Sequence, residues 1–249
     1  MTCQELGNPT YAAVIARKLA NVHQLDVPIN KEPTWLWETM NRWIDYIRTK
    51  IVYDDYKNKI AKELLTYDFE SEILWLKEFL SKIKSPSAFS HNDLQEGNIL
   101  LPDIPSRKKS ASSQDQLYDP ALIADRIVFI DFEFCSYNHR GFDIGNHFCE
   151  RMFDYSNPEF PYYYTYMDAY PNDYDKRFFI REYLKQTKKI QKNTNNDKVN
   201  NEEHLLMEAD SYTLASHLLW TLWAITYAYT SKIKFGYWVS LSQSFIFQN

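Results

Sequence analysis

His91-Asn92-Asp93-Leu94-Gln95-Glu96-Gly97-Asn98 and, after an insert, Ile130-Asp131-Phe132-Glu133 set two carboxylates and a carboxamide at the spacing used in kinase-type phosphoryl transfer. In that chemistry one Asp accepts or orients the proton of the attacking hydroxyl. An Asn five residues on binds metal, and a second Asp after the next strand holds Mg²⁺ against the phosphates. The first segment fits H-x-D-x-x-x-x-N, whereas the second reads Asp-Phe-Glu where protein kinases carry Asp-Phe-Gly. Alone, a His-Asn-Asp triplet is more often an Asx-turn or a helix cap. The two motifs in this order, each beside an apolar run, make the stronger signal.

Those runs are Ile99-Leu100-Leu101 and Ile127-Val128-Phe129-Ile130. They predict two strands of a hairpin that bring Asn98 and Asp131 to one end. Upstream, Asn8-Pro9 predicts a helix start with Asn as cap and Pro at the first position, running to about Gln24. Leu36, Met40, Trp43, Ile44 and Ile47 recur at helical spacing, as do Phe69, Ile73, Leu76, Leu80 and Ile83. At least three helices therefore precede the catalytic segment, and Ser85-Pro86-Ser87 ends the last. Residues 102–126 form a polar insert at the hairpin tip, whose basic run around Lys108 reads as solvated. A second polar stretch, Gln191 to Glu203, reads as a linker or surface loop before a final long helix.

The chain has 249 residues, 45% of them hydrophobic, enough for one domain or one large lobe with a sizeable core. A net charge of -5 gives no electrostatic reason to expect nucleic acid and suits a cationic small substrate. Cys3, Cys135 and Cys149 are odd in number and lack metal-ligand spacing, which points to a reducing cytoplasmic compartment. Cys149 reads as a buried small hydrophobe. The six histidines lack the paired spacing of a zinc site. Met1-Thr2-Cys3-Gln4-Glu5 is not a signal peptide, and Leu214 to Tyr229 is too short and interrupted for a membrane span, so it reads as a core helix.

Beyond Glu133 the chain reads Tyr137-Asn138-His139-Arg140-Gly141-Phe142-Asp143-Ile144-Gly145-Asn146-His147-Phe148-Cys149-Glu150. With the first two motifs this string resembles the choline/ethanolamine kinase family over most of residues 4 to 237, nearer to its choline kinases. The resemblance implies an α+β, mostly helical, protein-kinase-like fold. It also implies transfer of the γ-phosphate of ATP, with Mg²⁺, to the hydroxyl of choline as the first step toward phosphatidylcholine. Carried over by motif, Asp93 would be the catalytic base and Asn98 and Asp131 the metal ligands, with Gln95 and Glu133 shaping the nucleotide pocket. Asp143 would accept backbone N–H bonds from the catalytic loop or simply cap its helix. His91 and His217 are read as structural, the one ordering the loop and the other satisfied within the core.

The acceptor pocket can be reasoned from chemistry as well. A trimethylammonium has no N–H, so aromatic faces and a nearby carboxylate must hold it, each face contributing roughly 0.5–2 kcal/mol. Trp220 and Trp223 lie three apart on one predicted helix and share a face. By their spacing alone they would be ordinary core. The resemblance makes them cage residues together with Glu150, Tyr155 and Tyr237. It departs at Arg151, where the family usually carries Trp, a change that would weaken the cage or bring a cation to it. It departs also at Ser240, where a cage aromatic is expected.

The five glycines, Gly7, Gly97, Gly141, Gly145 and Gly236, form no Gly-rich phosphate cover, and no strand with a Lys precedes the catalytic loop. Against the family, residues 1–238 match a C-terminal lobe that binds choline, residues 239–249 are an atypical tail, and the N-terminal nucleotide lobe lies outside the chain. Alone, such a chain is expected to be a poor or inactive kinase. Ethanolamine or dual specificity, an aminoglycoside-type phosphotransferase, and a non-catalytic fragment that binds an intact kinase are the competing readings. A homodimer is compatible with the resemblance.

Overall fold

The computed structural model describes residues 1–50, 66–101, 126–190 and 198–238. Its helices start where side chains satisfy the orphan N–H groups of the first turn. Thr2 and Glu5 cap α1 (Cys3–Leu6) reciprocally, and Asn8 Oδ1 accepts from Thr10 N at 2.9 Å ahead of α2 (Pro9–Val22). Next come α3 (Trp35–Lys50) and α4 (Phe69–Ser81), the latter capped by Asp68. The sequence reading placed Ile83 on α4, but Lys82 caps it one residue beyond Ser81 and Ile83 packs from the turn.

Short strands frame the motifs. β1 (Ser87–Ser90) pairs antiparallel with β4 (Ser136–His139), from Ser87 opposite His139 to Ser90 opposite Ser136. The hairpin expected from the apolar runs is β2 (Ile99–Leu100) against β3 (Val128–Phe129), shorter than the runs suggest. A third pair, β5 (Phe153–Asp154) with β6 (Tyr164–Thr165), follows α5 (Arg140–Glu150). Two long helices close the order, α6 (Asp173–Ile190) and α7 (Glu202–Thr230). Residues Leu214 to Tyr229 are the second half of α7. Among the described residues no helix is long and apolar enough to cross a membrane. Most of the polar insert, the start of the Gln191 linker, Ser240 and the tail lie outside the described residues.

All eleven residues of α5 are buried. It joins two apolar clusters, giving Ile144 and Phe148 to one built on α2 and α6, and Phe142 to the other, built on α3, α4 and α7. Close approach to α7 depends on glycine, because a Cβ on Gly145 would sit 2.6 Å from the Ala209 carbonyl oxygen. At its start, Arg140 makes a two-pronged pair with Glu208, Nε to Oε2 at 3.0 Å and Nη2 to Oε1 at 2.7 Å. Ser85 Oγ also donates to Glu208. Gly145→Ala is expected to destabilise the protein by about 1–3 kcal/mol by forcing α5 and α7 apart. Urea unfolding checks this as a lower midpoint with an unchanged slope.

Candidate active site

The loop after β1 is held by a carboxylate from α5. Asp143 is fully buried, and its oxygens accept from His91 N at 2.8 Å and Asn92 N at 2.9 Å, while Oδ2 also meets His23 Nε2 at 3.0 Å. His139, not Asp143, stands at the cap of α5. Burial raises the carboxyl's pKa, but the His23 and His91 contacts outweigh it and hold the group below the usual carboxylate range. His23 Nδ1 reaches Tyr183 OH at 2.7 Å, so the end of α2, the first turn of α5 and the middle of α6 meet at one buried contact beneath the loop.

Asn92 takes left-handed backbone, φ 65°, which Asn tolerates better than most residues. Its amide donates to Phe134 O and Ser136 Oγ, both at 2.9 Å, and its oxygen accepts from Asn138 at 2.8 Å. His91 Nε2 lies 2.9 Å from the Ile130 carbonyl and its Nδ1 accepts from Asp93 N at 3.3 Å. The ring therefore bridges the two motifs from within the scaffold.

Asp93 and Asn98 are brought into direct contact. Asn98 Nδ2 donates to Asp93 Oδ2 at 2.9 Å and to Asp93 O at 2.8 Å across the five-residue spacing. Ile130 N donates to Asn98 O at 3.0 Å, which fixes the start of the second motif against the first. The following Asp131 is exposed, with φ 61°, and does not line the cavity described next. Its negative charge nonetheless acts on Asp93. Burial chiefly, then Glu150, Asp131 and Glu133, push the Asp93 pKa well up, with the Asn98 hydrogen bond opposing. Among the described residues no group of three His, Cys, Asp or Glu gathers for a metal. Magnesium does not need one, since it takes one or two protein oxygens plus water and phosphate oxygens. The exposed Asp131 carboxylate fits that demand, as does the Asn98 amide oxygen, whose nitrogen is committed to Asp93.

A cavity of 380 Å³ opens beside Asp93. Gln95 and Glu133 line it with Asp93, and Trp220, Trp223, Tyr155, Tyr237 and Glu150 line it as well. Trp223 lies 5.7 Å from Trp220 and 5.5 Å from Tyr237, ring centre to centre. Tyr155 is fixed twice, its N–H to Glu96 Oε1 at 2.8 Å and its hydroxyl to Glu150 Oε2 at 3.0 Å. Burial and the charge of Glu96 raise the Glu150 pKa to about 7 against the Tyr155 hydrogen bond. His217 also lines the cavity, 3.7 Å from Cys149 Sγ. Burial lowers its pKa to about 4 and raises that of the Cys149 thiol to about 12, so both are neutral near pH 7. Among the described residues no Lys or Arg lines it. Carboxylates and aromatic rings without a competing cation form a receptor for a small organic cation.

Arg151 does not enter the cage. Its guanidinium lies near Gly7, with Asp175 3.9 Å off, so it does not bring a cation to the cage. Sequence reasoning missed several lining residues: Phe134, Phe153, Tyr163, Tyr227 and Phe235. Phe235 packs 4.9 Å from Tyr237 and 5.3 Å from Tyr163. The density of aromatics from Phe153 to Tyr166 was the available signal. Asn146 and His147 were missed as well. With Asp143 and Glu150 they repeat at helical spacing, a polar stripe on an otherwise apolar buried helix.

A kinase-type loop facing a cavity on a mostly helical α+β scaffold defines a protein-kinase-like fold. Choline kinase from Cryptosporidium parvum shares it, with a TM-score of 0.72 at 22% identity, covering 99% of this chain and 66% of that one. The choline/ethanolamine kinase family model matches residues 1–247, and the chain belongs to that family. The human protein named choline/ethanolamine kinase is 40% identical over 94% of this chain and 54% of its own length. Mouse choline kinase alpha is 36% identical over 94% of this chain and 49% of its own length. The chain thus spans about half the length of the curated relatives it matches.

Proposed function

We propose that this chain supplies the acceptor-binding and catalytic-loop part of an ATP-dependent kinase that phosphorylates the hydroxyl of choline. The observation that carries this reading is the shared cavity, which Asp93, a buried carboxylate and an aromatic cage all line. A quaternary ammonium seated among Trp220, Trp223, Tyr155 and Tyr237 gains cation–π and charge attraction without needing a hydrogen bond. Its short hydroxyethyl arm then extends toward Asp93, which takes the hydroxyl proton as the oxygen bonds to the γ-phosphorus of ATP and the bond to the β,γ-bridging oxygen breaks, releasing ADP. Gln95 and Glu133 border the side from which the nucleotide enters. Asp131 and Asn98 would hold Mg²⁺, whose positive charge would offset the negative charge developing on the transferred phosphoryl group. Asn98 also keeps the Asp93 carboxylate aimed, and His91 and Asp143 keep the loop rigid. The dominance of ring faces favours choline over ethanolamine, whose three N–H groups need acceptors.

We further propose that residues 1–238 form the choline-binding lobe, that residues 239–249 are an appended tail, and that the protein works in the reducing cytosol, in keeping with three unpaired cysteines. These 249 residues hold no Gly-rich sequence, and among the described residues no strand carries a lysine to position phosphates. By themselves they should therefore bind choline and transfer phosphate far more slowly than the roughly 1–100 s⁻¹ of kinases. Calorimetry with choline and ethanolamine, followed by phosphocholine formation from labelled ATP, tests both halves. Undetectable choline binding would defeat the cage reading, and turnover in the ordinary kinase range would defeat the second.

Glu150 makes the affinity pH-dependent. Its carboxyl is half-protonated near pH 7, and a bound cation favours the ionised form, so binding releases a proton below that pH. Choline affinity is expected to rise about tenfold from about pH 6 to about pH 8, by the linkage of one group. Calorimetric titrations across that range check it, and Glu150→Gln should flatten the profile.

A further inference from the structure

Asn146 lies outside every role assigned above, yet its amide oxygen holds the indole N–H of a cage tryptophan from behind. It is fully buried on α5, and its Oδ1 accepts from Trp220 Nε1 at 2.6 Å and from Ser216 Oγ at 2.7 Å. An indole N–H can only donate, so the amide oxygen must be the atom that faces it. Its Nδ2 is buried with no hydrogen-bond partner among the described residues. The side chain therefore gives up satisfaction of one end to accept twice at the other, an arrangement that plain core packing does not favour. Trp220 in turn meets Trp223 edge-on at 5.7 Å and Phe134 at 5.8 Å, both lining the cavity.

We propose that Asn146 is a positioning residue that fixes the plane of the Trp220 indole and, through it, the face of the cage presented to a quaternary ammonium. Trp220 sits partly exposed on the cavity wall, packed against the core cluster and the edges of its aromatic neighbours, and the hydrogen bond to Asn146 adds a directional hold on the ring. A cation gains most from an indole presented face-on, so a ring free to turn loses much of its attraction. Ser216, one helical turn before Trp220 on α7, shares the same acceptor and sets the height of the indole on the helix. The proposal rests on the reading of the cavity as a site for a quaternary ammonium.

The experiment uses the 249-residue chain, choline as probe, calorimetry for affinity, and nuclear magnetic resonance of the Trp220 indole N–H without ligand. Asn146→Leu keeps the volume but removes the acceptor, and Asn146→Ser keeps polarity but is too short to reach the indole. Both are expected to weaken choline binding about tenfold, as the loss of one well-set aromatic face does, and to abolish the slow exchange of the Trp220 N–H. Asn146→Asp, which retains the acceptor, should keep that slow exchange. In a Trp220→Phe background Asn146→Leu should add no further loss of affinity, because the group it acts through is gone.

Choline binding within twofold of the unmodified chain for folded Asn146→Leu or Asn146→Ser would overturn the proposal, as would an unchanged Trp220 signal. Failure of both variants to fold would overturn it too, assigning the amide to the core. If the unmodified chain binds no choline while the Trp220 signal still depends on Asn146, the cage reading fails and the hold on the indole stands.

Discussion

Replacing Asp93 by Asn is expected to lower phosphocholine formation by about 10²–10⁴-fold, the usual contribution of a positioned base, while choline affinity stays within about threefold. The split follows from where Asp93 sits. It lines the same cavity as the cage, but its side-chain contact is Asn98, whereas Glu150 and the rings line the place proposed for the ammonium. A carboxamide at this position preserves the shape and an oxygen for Asn98 but cannot accept the substrate proton. The raised pKa of Asp93 in the unliganded protein is consistent with this role, since its causes after burial are the neighbouring carboxylates. Cations bound among those carboxylates would draw the pKa down and leave a base ready at neutral pH. Single-turnover transfer from labelled ATP reads the rate even when it is slow, and calorimetry reads the affinity. A matched loss in both would show that Asp93 holds choline rather than acting on it.

Asp143→Ala is expected to cost about 3–5 kcal/mol, the penalty for removing one member of a buried charge-paired contact. The change leaves His91 N, Asn92 N and His23 without their acceptor inside the protein. For a chain of this size that corresponds to a fall in melting temperature of about 6–20 °C. Asp143→Asn should do little better, because the new NH₂ group would face donors. The sign of the pH effect is set by the depressed pKa of Asp143. Its contribution is present above the ordinary carboxylate pKa of about 4 and is lost as pH falls through the lower folded value. Unfolding at pH 7 should therefore separate the variant from the unmodified protein, and the gap should narrow in strong acid.

Much of the helical framework was legible because apolar side chains at three- and four-residue spacing bury one face whatever else the chain does. Asn8-Pro9, Leu36 to Ile47 and Phe69 to Leu80 each mark a helix that the structure contains. The hairpin was legible in type, but its length and its register, with Ile99 opposite Phe129, came only from the structure. Two elements gave weak signals. α6 carries Asp, Lys, Arg and Glu over most of its surface and buries only a narrow stripe that includes Phe179, Ile180, Tyr183 and Leu184. β1 is Ser-Ala-Phe-Ser, too short and too polar to alternate, and it forms because β4 lies beside it.

The candidate site shows the same division. Asp93 and Asn98 carry their relation in local spacing, whereas the shared helical face of Trp220 and Trp223 read as ordinary core until the family resemblance pointed to a cage. Phe235 and Tyr163 reach the cavity only through the turn after α7 and the loop between β5 and β6, which no short-range pattern encodes. Asn146 was hidden because an amide within a buried helix has meaning only once the indole it holds is known to be there.

α5 carries the carboxylate beneath the loop, the amide behind the cage and the acid inside it on one stripe, while its other sides seal both apolar clusters. A rod wedged in this way has no independent hinge. Heating or denaturant should extinguish ligand recognition and the folded state in the same transition, with no window in which an intact scaffold has merely lost its grip. Directed improvement of affinity would meet the same bind: substitutions on that stripe trade against survival of the whole, so gains should come from the outer aromatics near Phe235 and Tyr227.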